Sequence, residues 1–183
     1  MEIIERTIKS EKVYSGKILS VKLSTVELPD QKYSKREIVL HDNAVAVVAI
    51  HDDKILLVKQ YRISVDKEIL EIPAGMIEPG EAPKEAAIRE LREETGYESK
   101  NIEYVTEFYS SPGYSSEKIY LFYADNLELK EQNLDEEEQI EVLEVSIDEA
   151  LKMIEVGDIM DSKTIAGILL YKNFKEKKDV KNE

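Results

Sequence analysis

Three glutamates in one short stretch, Glu90, Glu93 and Glu94, are the residues of this chain best placed to do chemistry. An α-helix turns by about 100° per residue, so with Glu90 at zero, Glu94 falls at about +40° and Glu93 at about −60°. The three carboxylates then share one narrow face, while Ile88, Leu91 and Thr95 point away from it, toward a core. Like charges this close repel one another unless a cation lies among them. Carboxylate oxygens suit a hard divalent cation such as magnesium. Such a cation neutralises an anionic substrate and acidifies a bound water. Arg89, spaced i,i+4 from Glu93, can pair with the same face. A helix with three glutamates is, by itself, more often a solvated surface.

That helix needs a frame. Gly75 to Ala82 contains two Gly and a Pro and reads as a loop, with Pro83 suited to the first turn of the helix and Gly96 to the position just past its end. Upstream, residues 1–42 read as β structure. Lys17 to Leu28 has broken alternation, predicting a strand with a bulge, and Pro29 to Lys32 is a turn before Tyr33 to Leu40 returns as a hairpin partner. Ala44 to Ile50 is a buried strand, and Ile55 to Gln60 and Glu68 to Ile72 are further strands. Downstream, Ile102 to Tyr109, Ile119 to Ala124 and Ile140 to Val145 read as strands. Ser146 to Glu149 opens a helix ending near Gly157, and a last helix spans about Lys163 to Phe174 before a charged tail. Strands and helices alternate irregularly, so a mixed sheet with helices on both faces is predicted.

The stretch from Gly75 to Tyr97, with Gly75, Glu81, Arg89-Glu90, Glu93-Glu94 and Gly96 as its fixed points, resembles the Nudix box. Its final position, usually aliphatic in that family, is Tyr97 here. The resemblance implies an α/β/α sandwich that hydrolyses a nucleoside diphosphate linked to another group. It assigns metal binding to Glu90, Glu93 and Glu94 and to the carbonyl of Ala74, with magnesium, or manganese, as cofactor. Glu81 and Arg89 take scaffolding roles, Arg89 orienting the catalytic carboxylates.

Flanking residues resemble the ADP-ribose pyrophosphatase branch. Pro112 lies within Ser111-Pro112-Gly113, with Glu117 in the same loop. Arg36-Glu37 stands where relatives place an Arg-Glu pair near the adenine, and Gln60-Tyr61-Arg62 where they carry an Arg that reaches the phosphates. Met76 is a pocket-lining candidate. Asp135 to Glu138 resembles the loop that carries a catalytic Glu in that branch. By register, the water-activating base falls on Glu136 and an additional metal ligand on Glu138, although neighbouring Glu137 allows a slip. Pro-Gly also marks ordinary turns, and a charge run is often a solvated loop. The resemblance implies division into an N-terminal β segment, residues 1–42, for dimerisation and adenine contacts, and a Nudix hydrolase domain, residues 43–183. It also implies a homodimer. Other nucleoside diphosphate derivatives, such as a nucleotide sugar or a dinucleotide, are rival substrates, and a nucleotide sensor without catalysis is a rival of another class.

Composition bounds these readings. Across 183 residues, 25 Lys and Arg stand against 39 Asp and Glu, for a net charge of −14. So acidic a surface argues against nucleic-acid binding, which needs clustered basic residues. It also makes a divalent cation useful to an enzyme with an anionic substrate. There is no Cys, hence no disulfide or thiol chemistry. No secretory signal opens the chain, and the longest apolar run is too short to cross a bilayer. A soluble cytoplasmic protein without a membrane partner is the expectation.

Overall fold

The computed structural model describes residues 3–134 and 139–182, with side chains described as far as residue 173. Its contacts divide the chain into two compact units. One comprises Met1–Asn43 with Tyr109–Lys118, and the other Ala44–Phe108 with Ile119–Glu183.

The first unit is built on a three-stranded antiparallel sheet of β1 (Arg6–Ser15), β2 (Leu19–Glu27) and β3 (Tyr33–His41), in that order. β2 and β3 pair without interruption from Leu19↔His41 to Glu27↔Tyr33. The expected irregularity is therefore not in β2. It lies in β1, where the register against β2 slips between Thr7 and Lys9 and again between Lys12 and Tyr14. Each slip inserts one extra residue, which locally coils a strand and flips its side-chain faces. The broken apolar alternation of Lys17 to Leu28 is therefore not the mark of a bulge in that strand, and the extra residues belong to β1. Segment Tyr109–Lys118 belongs to this unit because its backbone binds β3. Val39 donates to the Tyr114 carbonyl at 2.7 Å and accepts from Ser116 at 3.0 Å.

The second unit is a seven-stranded mixed sheet. It consists of β4 (Ala44–His51), β5 (Lys54–Arg62), β6 (Lys67–Glu71), β7 (Ala74–Met76), β8 (Tyr97–Tyr109), β9 (Lys118–Leu129) and β10 (Ile140–Ser146). The main path runs β10-β5-β4-β9-β8, with β6 paired to β5 and β7 to β4. β4 lies parallel to β9 and antiparallel to β5 and β7. Three helices cover it: α1 (Pro83–Thr95), α2 (Ile147–Val156) and α3 (Ser162–Asn182).

β4 explains the layering. Ala46, Val48 and Ile50 join a core with Ala150 of α2 and Ile168 of α3. Val45, Val47 and Ala49 join a separate core with Ala86, Ala87 and Leu91 of α1. Successive strand residues face opposite sides, so a strand covered on both faces is apolar at every position. The continuous run at 44–50 is that pattern, and the α/β/α sandwich is the result. Several boundaries differ from the sequence expectation. β8 starts at Tyr97 rather than Ile102, and β9 runs on to Leu129 rather than Ala124. Ala74, Gly75 and Met76, the last two expected within a loop, pair with β4 as β7. α3 continues to Asn182 through a stretch rich in Lys, a good helix former.

α1 begins at Pro83, as the spacing predicts. Ala82 has no side chain to cap it, so the Glu85 carboxylate reaches back to the Ala82 N–H at 3.3 Å. It ends at Gly96, whose φ of 74° is left-handed, with its N–H on the Arg92 carbonyl. An added Cβ at Gly96 would also come within a tight 3.2 Å of the backbone nitrogen of Gln132.

Candidate active site

Within α1, Ala86, Ala87 and Leu91 are fully buried, and this anchors the helix against β4 and β7. The carboxylate face continues the line of small alanines toward the helix C-terminus. It therefore turns toward the sheet rather than into open solvent. Glu94 is 4 % exposed. Its Oε2 accepts the N–H of Ala74 at 2.9 Å. The Glu90 carboxylate lies directly on Gly75, and a Cβ built there would stand 2.0 Å from its carboxyl carbon. A side chain at this position would displace that carboxylate from the place it occupies.

Arg89 organises the remainder. Nε and Nη2 donate to the two carboxylate oxygens of Glu81, both at 2.9 Å. Nη2 also donates to the Met76 carbonyl at 3.0 Å. Nη1 donates to Glu90 at 2.7 Å and to Glu93 at 3.0 Å. These bonds account for all five N–H donors of a guanidinium. The hydrogen bond from Arg89 holds the Glu81 carboxyl below its ordinary range, and Glu81 in turn raises the Arg89 pKa. Repulsion between Glu90 and Glu93 is thus relieved within the chain, because Arg89 lies between them. Arg89 and Glu81 together tie the 76–81 loop to the helix.

Among the described residues, no three Asp, Glu, His or Cys side chains form a closed metal cage. Glu90 and Glu93 turn toward Arg89, and Glu94 toward Ala74. The donor set is nonetheless all oxygen, gathered beside a glycine that leaves space for it. In chemistry it fits a hard divalent cation rather than a thiolate-seeking metal.

Arg62 ends β5 and is half-buried. Its Nε and Nη2 donate to the two oxygens of Glu71 at 2.6 and 3.0 Å. Glu71 raises the Arg62 pKa, and Glu94 lies near enough to add to that effect. Met76 is exposed at the end of β7. A depression of about 580 Å³ opens beside Arg89 and Glu93, bounded by Arg92 and by Glu131, Gln132 and Asn133. That last stretch is bound to the end of α1. Lys130 N–H donates to the Gly96 carbonyl at 2.7 Å, Asn133 N–H to that of Glu93 at 3.1 Å, and Gln132 Nε2 to that of Glu94 at 2.5 Å. The helix's last carbonyls, which have no partner within the helix, are satisfied by the chain leading into residues 135–138. Glu136 and Glu138 themselves lie outside the described residues.

The other candidates belong to the first unit. Arg36 donates through Nε and Nη2 to Glu5 at 2.9 and 2.5 Å, and through Nη1 to Ser34 Oγ and the Lys35 carbonyl. Four of its five donors are thus used. Glu37 is exposed and borders a groove of about 300 Å³ with Val13, Val21, Val39 and Tyr114. Ser111 and Pro112 form the turn in which the Ser111 carbonyl accepts from Tyr114 and Ser115. Glu117 places a carboxylate oxygen 3.5 Å from His41 Nδ1.

The sandwich and the helix bearing three clustered carboxylates define the class. The NUDIX domain pattern matches residues 40–163, and the chain belongs to the Nudix family. It is 47 % identical over 167 residues to a Bacillus subtilis protein named ADP-ribose pyrophosphatase, covering 90 % of each chain. It is equally similar, 47 % over 167 residues and 90 % of each chain, to a Bacillus methanolicus protein named methanol dehydrogenase activator. A crystal structure described as an ADP compounds hydrolase shares the fold, with a TM-score of 0.87 over 95 % of both chains at 22 % identity.

Glu71 and Lys163 escaped the sequence reading. Glu71 is 2 % exposed and bonded to both Arg62 and the Lys163 ammonium. The one available signal was a Glu at the end of an apolar strand, where a charge is unexpected. Among the described residues, no helix is long and apolar enough to cross a membrane.

Proposed function

We propose that this chain hydrolyses the diphosphate of ADP-ribose, giving AMP and ribose 5-phosphate, with a divalent cation held by Glu90, Glu93, Glu94 and the Ala74 carbonyl. The supporting observation is the gathering of the box carboxylates at the junction of α1 and β7, with the Glu90 carboxylate seated on Gly75. The likeness to a protein named ADP-ribose pyrophosphatase supports the substrate. When bound, the cation neutralises the diphosphate and acidifies a water.

The chain's own residues supply the rest. Arg89 and Glu81 hold the helix and the 76–81 loop in one arrangement, so the backbone that carries the carboxylates is set before substrate arrives. Arg62 offers a planar fork of donors to a phosphate. Glu136 takes the proton of the attacking water, and Glu138 adds a ligand. Water oxygen bonds to phosphorus as the bridging P–O bond breaks. To the adenine end we assign Arg36 and Glu37, and to further substrate contacts Ser111, Pro112, Glu117 and Met76, as the resemblance implies.

Incubation with ADP-ribose and magnesium is expected to yield AMP and ribose 5-phosphate, with turnover abolished by a chelator and restored by added magnesium or manganese. Equal likeness to a methanol dehydrogenase activator makes a panel preferable to one substrate. Nucleotide sugars and dinucleotides belong in it. Faster turnover of one of those, or tight ADP-ribose binding without products, would replace this assignment.

We also infer a homodimer formed through the N-terminal unit. Every residue of β1 is exposed, Ile8, Val13 and Tyr14 among them, and Ile4 just before it is exposed too. A long apolar edge strand of this kind is ordinarily covered. Sedimentation should give twice the mass of the 21.0 kDa chain, and a stable monomer at micromolar concentration contradicts it.

A further inference from the structure

At the start of α3 a cation stands where helix physics disfavours one. Lys163 is the second residue of the helix, where the positive end of the macrodipole repels an ammonium. Asp161 caps that end, its Oδ2 accepting the Thr164 N–H at 3.0 Å. Lys163 is held 3.1 Å from the same oxygen and donates to Glu71, and its side chain is only 13 % exposed.

Glu71 ends β6 and is gripped from two sides. Lys163 takes Oε2, while Arg62 takes both oxygens through Nε and Nη2. Two cations thus share the buried Glu71 carboxylate, and Asp161 balances the second of them. The next residue is fixed as well, since Ile72 N–H donates to Thr164 Oγ1 at 2.8 Å and Thr164 is fully buried. Beyond Pro73, Ala74 N–H holds Glu94. The start of α3 therefore clamps the strap 71–74, with Arg62 at one edge and the box helix at the other.

Stability is a weak reason for such a cluster, because well-packed apolar residues often serve as well as buried ion pairs. Orientation is a better one. A guanidinium bonded through Nε and Nη2 has its plane fixed, and the rest of its fork is directed away from the carboxylate. We propose that Glu71 and Lys163 are positioning residues that hold the Arg62 guanidinium in the orientation that receives the substrate diphosphate. This rests on the assignment of Arg62 as a phosphate contact. Lys163 acts by holding Glu71 Oε2, the oxygen that Arg62 Nη2 also binds, so that the carboxylate cannot rotate and carry the guanidinium with it.

The test has two readouts. In the NMR spectrum, the Arg62 Nε–H resonance is identified by its disappearance in Arg62→Lys. It is expected to be protected from exchange in the native protein and to broaden or shift in Lys163→Met. An unchanged resonance overturns the proposal, whatever the substrate. In kinetics with ADP-ribose and magnesium, Lys163→Met is expected to raise KM about ten-fold with kcat within about three-fold. In an Arg62→Ala background the same substitution should change KM by less than about two-fold, because the residue it acts through is gone. Effects that multiply in full overturn it. If Lys163→Met does not fold, Lys163→Arg keeps a cation but brings a second fork to the Glu71 carboxylate. A raised KM at native melting temperature then supports the proposal, and an unchanged KM overturns it. A native protein that leaves ADP-ribose intact while the resonance responds as expected refutes the substrate assignment and leaves the positioning role standing.

Discussion

Glu94→Gln is expected to lower kcat on ADP-ribose on the order of 10³-fold, the scale seen when one charged or donor group is removed from a preorganised site. The protein itself should survive. Glu94 is 4 % exposed, and its contact with the Ala74 N–H asks only for an acceptor oxygen. The glutamine side chain presents one in nearly the same place. Removing the charge also removes the cost of burying it, so the fold loses little. The thermal midpoint should stay within about 4 °C, or roughly 1 kcal/mol for a chain of this size. A preserved thermal midpoint beside lost turnover would place the Glu94 charge in the reaction rather than in the fold. Full activity of Glu94→Gln in magnesium would remove Glu94 from the machinery.

The box helix was readable because its signals are local. Pro83 and Gly96 mark its ends, and the spacing of Glu90, Glu93 and Glu94 puts them on one face whatever surrounds them. The buried strand 44–50 was readable for a similar reason, since a run apolar at every position needs cover on both faces. What sequence order hides are pairings made across the fold. Lys163 and Glu71 are 92 residues apart, and neither has a neighbour in sequence that announces the other. β7 is three residues long and exists only because β4 supplies its hydrogen bonds. The 109–118 segment looks like a loop and becomes part of the first unit through two backbone bonds to Val39. Spacing placed Arg89 beside Glu93, but only the structure shows it between Glu93 and Glu90, with its other donors on Glu81 and Met76.

The second large effect is on stability, and Glu71→Gln is expected to produce it. The substitution keeps shape and one acceptor but leaves Arg62 without its anion and the 13 % exposed Lys163 with Asp161 alone. Breaking a buried pair from one side costs about 3–5 kcal/mol, and the low end is expected here because half-buried Arg62 can turn toward water. Urea unfolding should show a lower midpoint at unchanged slope. The effect should also depend on pH in a definite direction. Burial pushes the Glu71 carboxyl up, but its bonds to Arg62 and Lys163 outweigh that and leave it below the ordinary 4.5. A depressed carboxyl contributes stability that is fully present above the unfolded value and is lost as pH falls through the folded one. The gap between native and Glu71→Gln proteins should therefore be constant from neutral pH down to about 5 and narrow below about 4. A gap that stays constant through that acid range would mean that the charge of Glu71 is not what holds β5, β6 and α3 together.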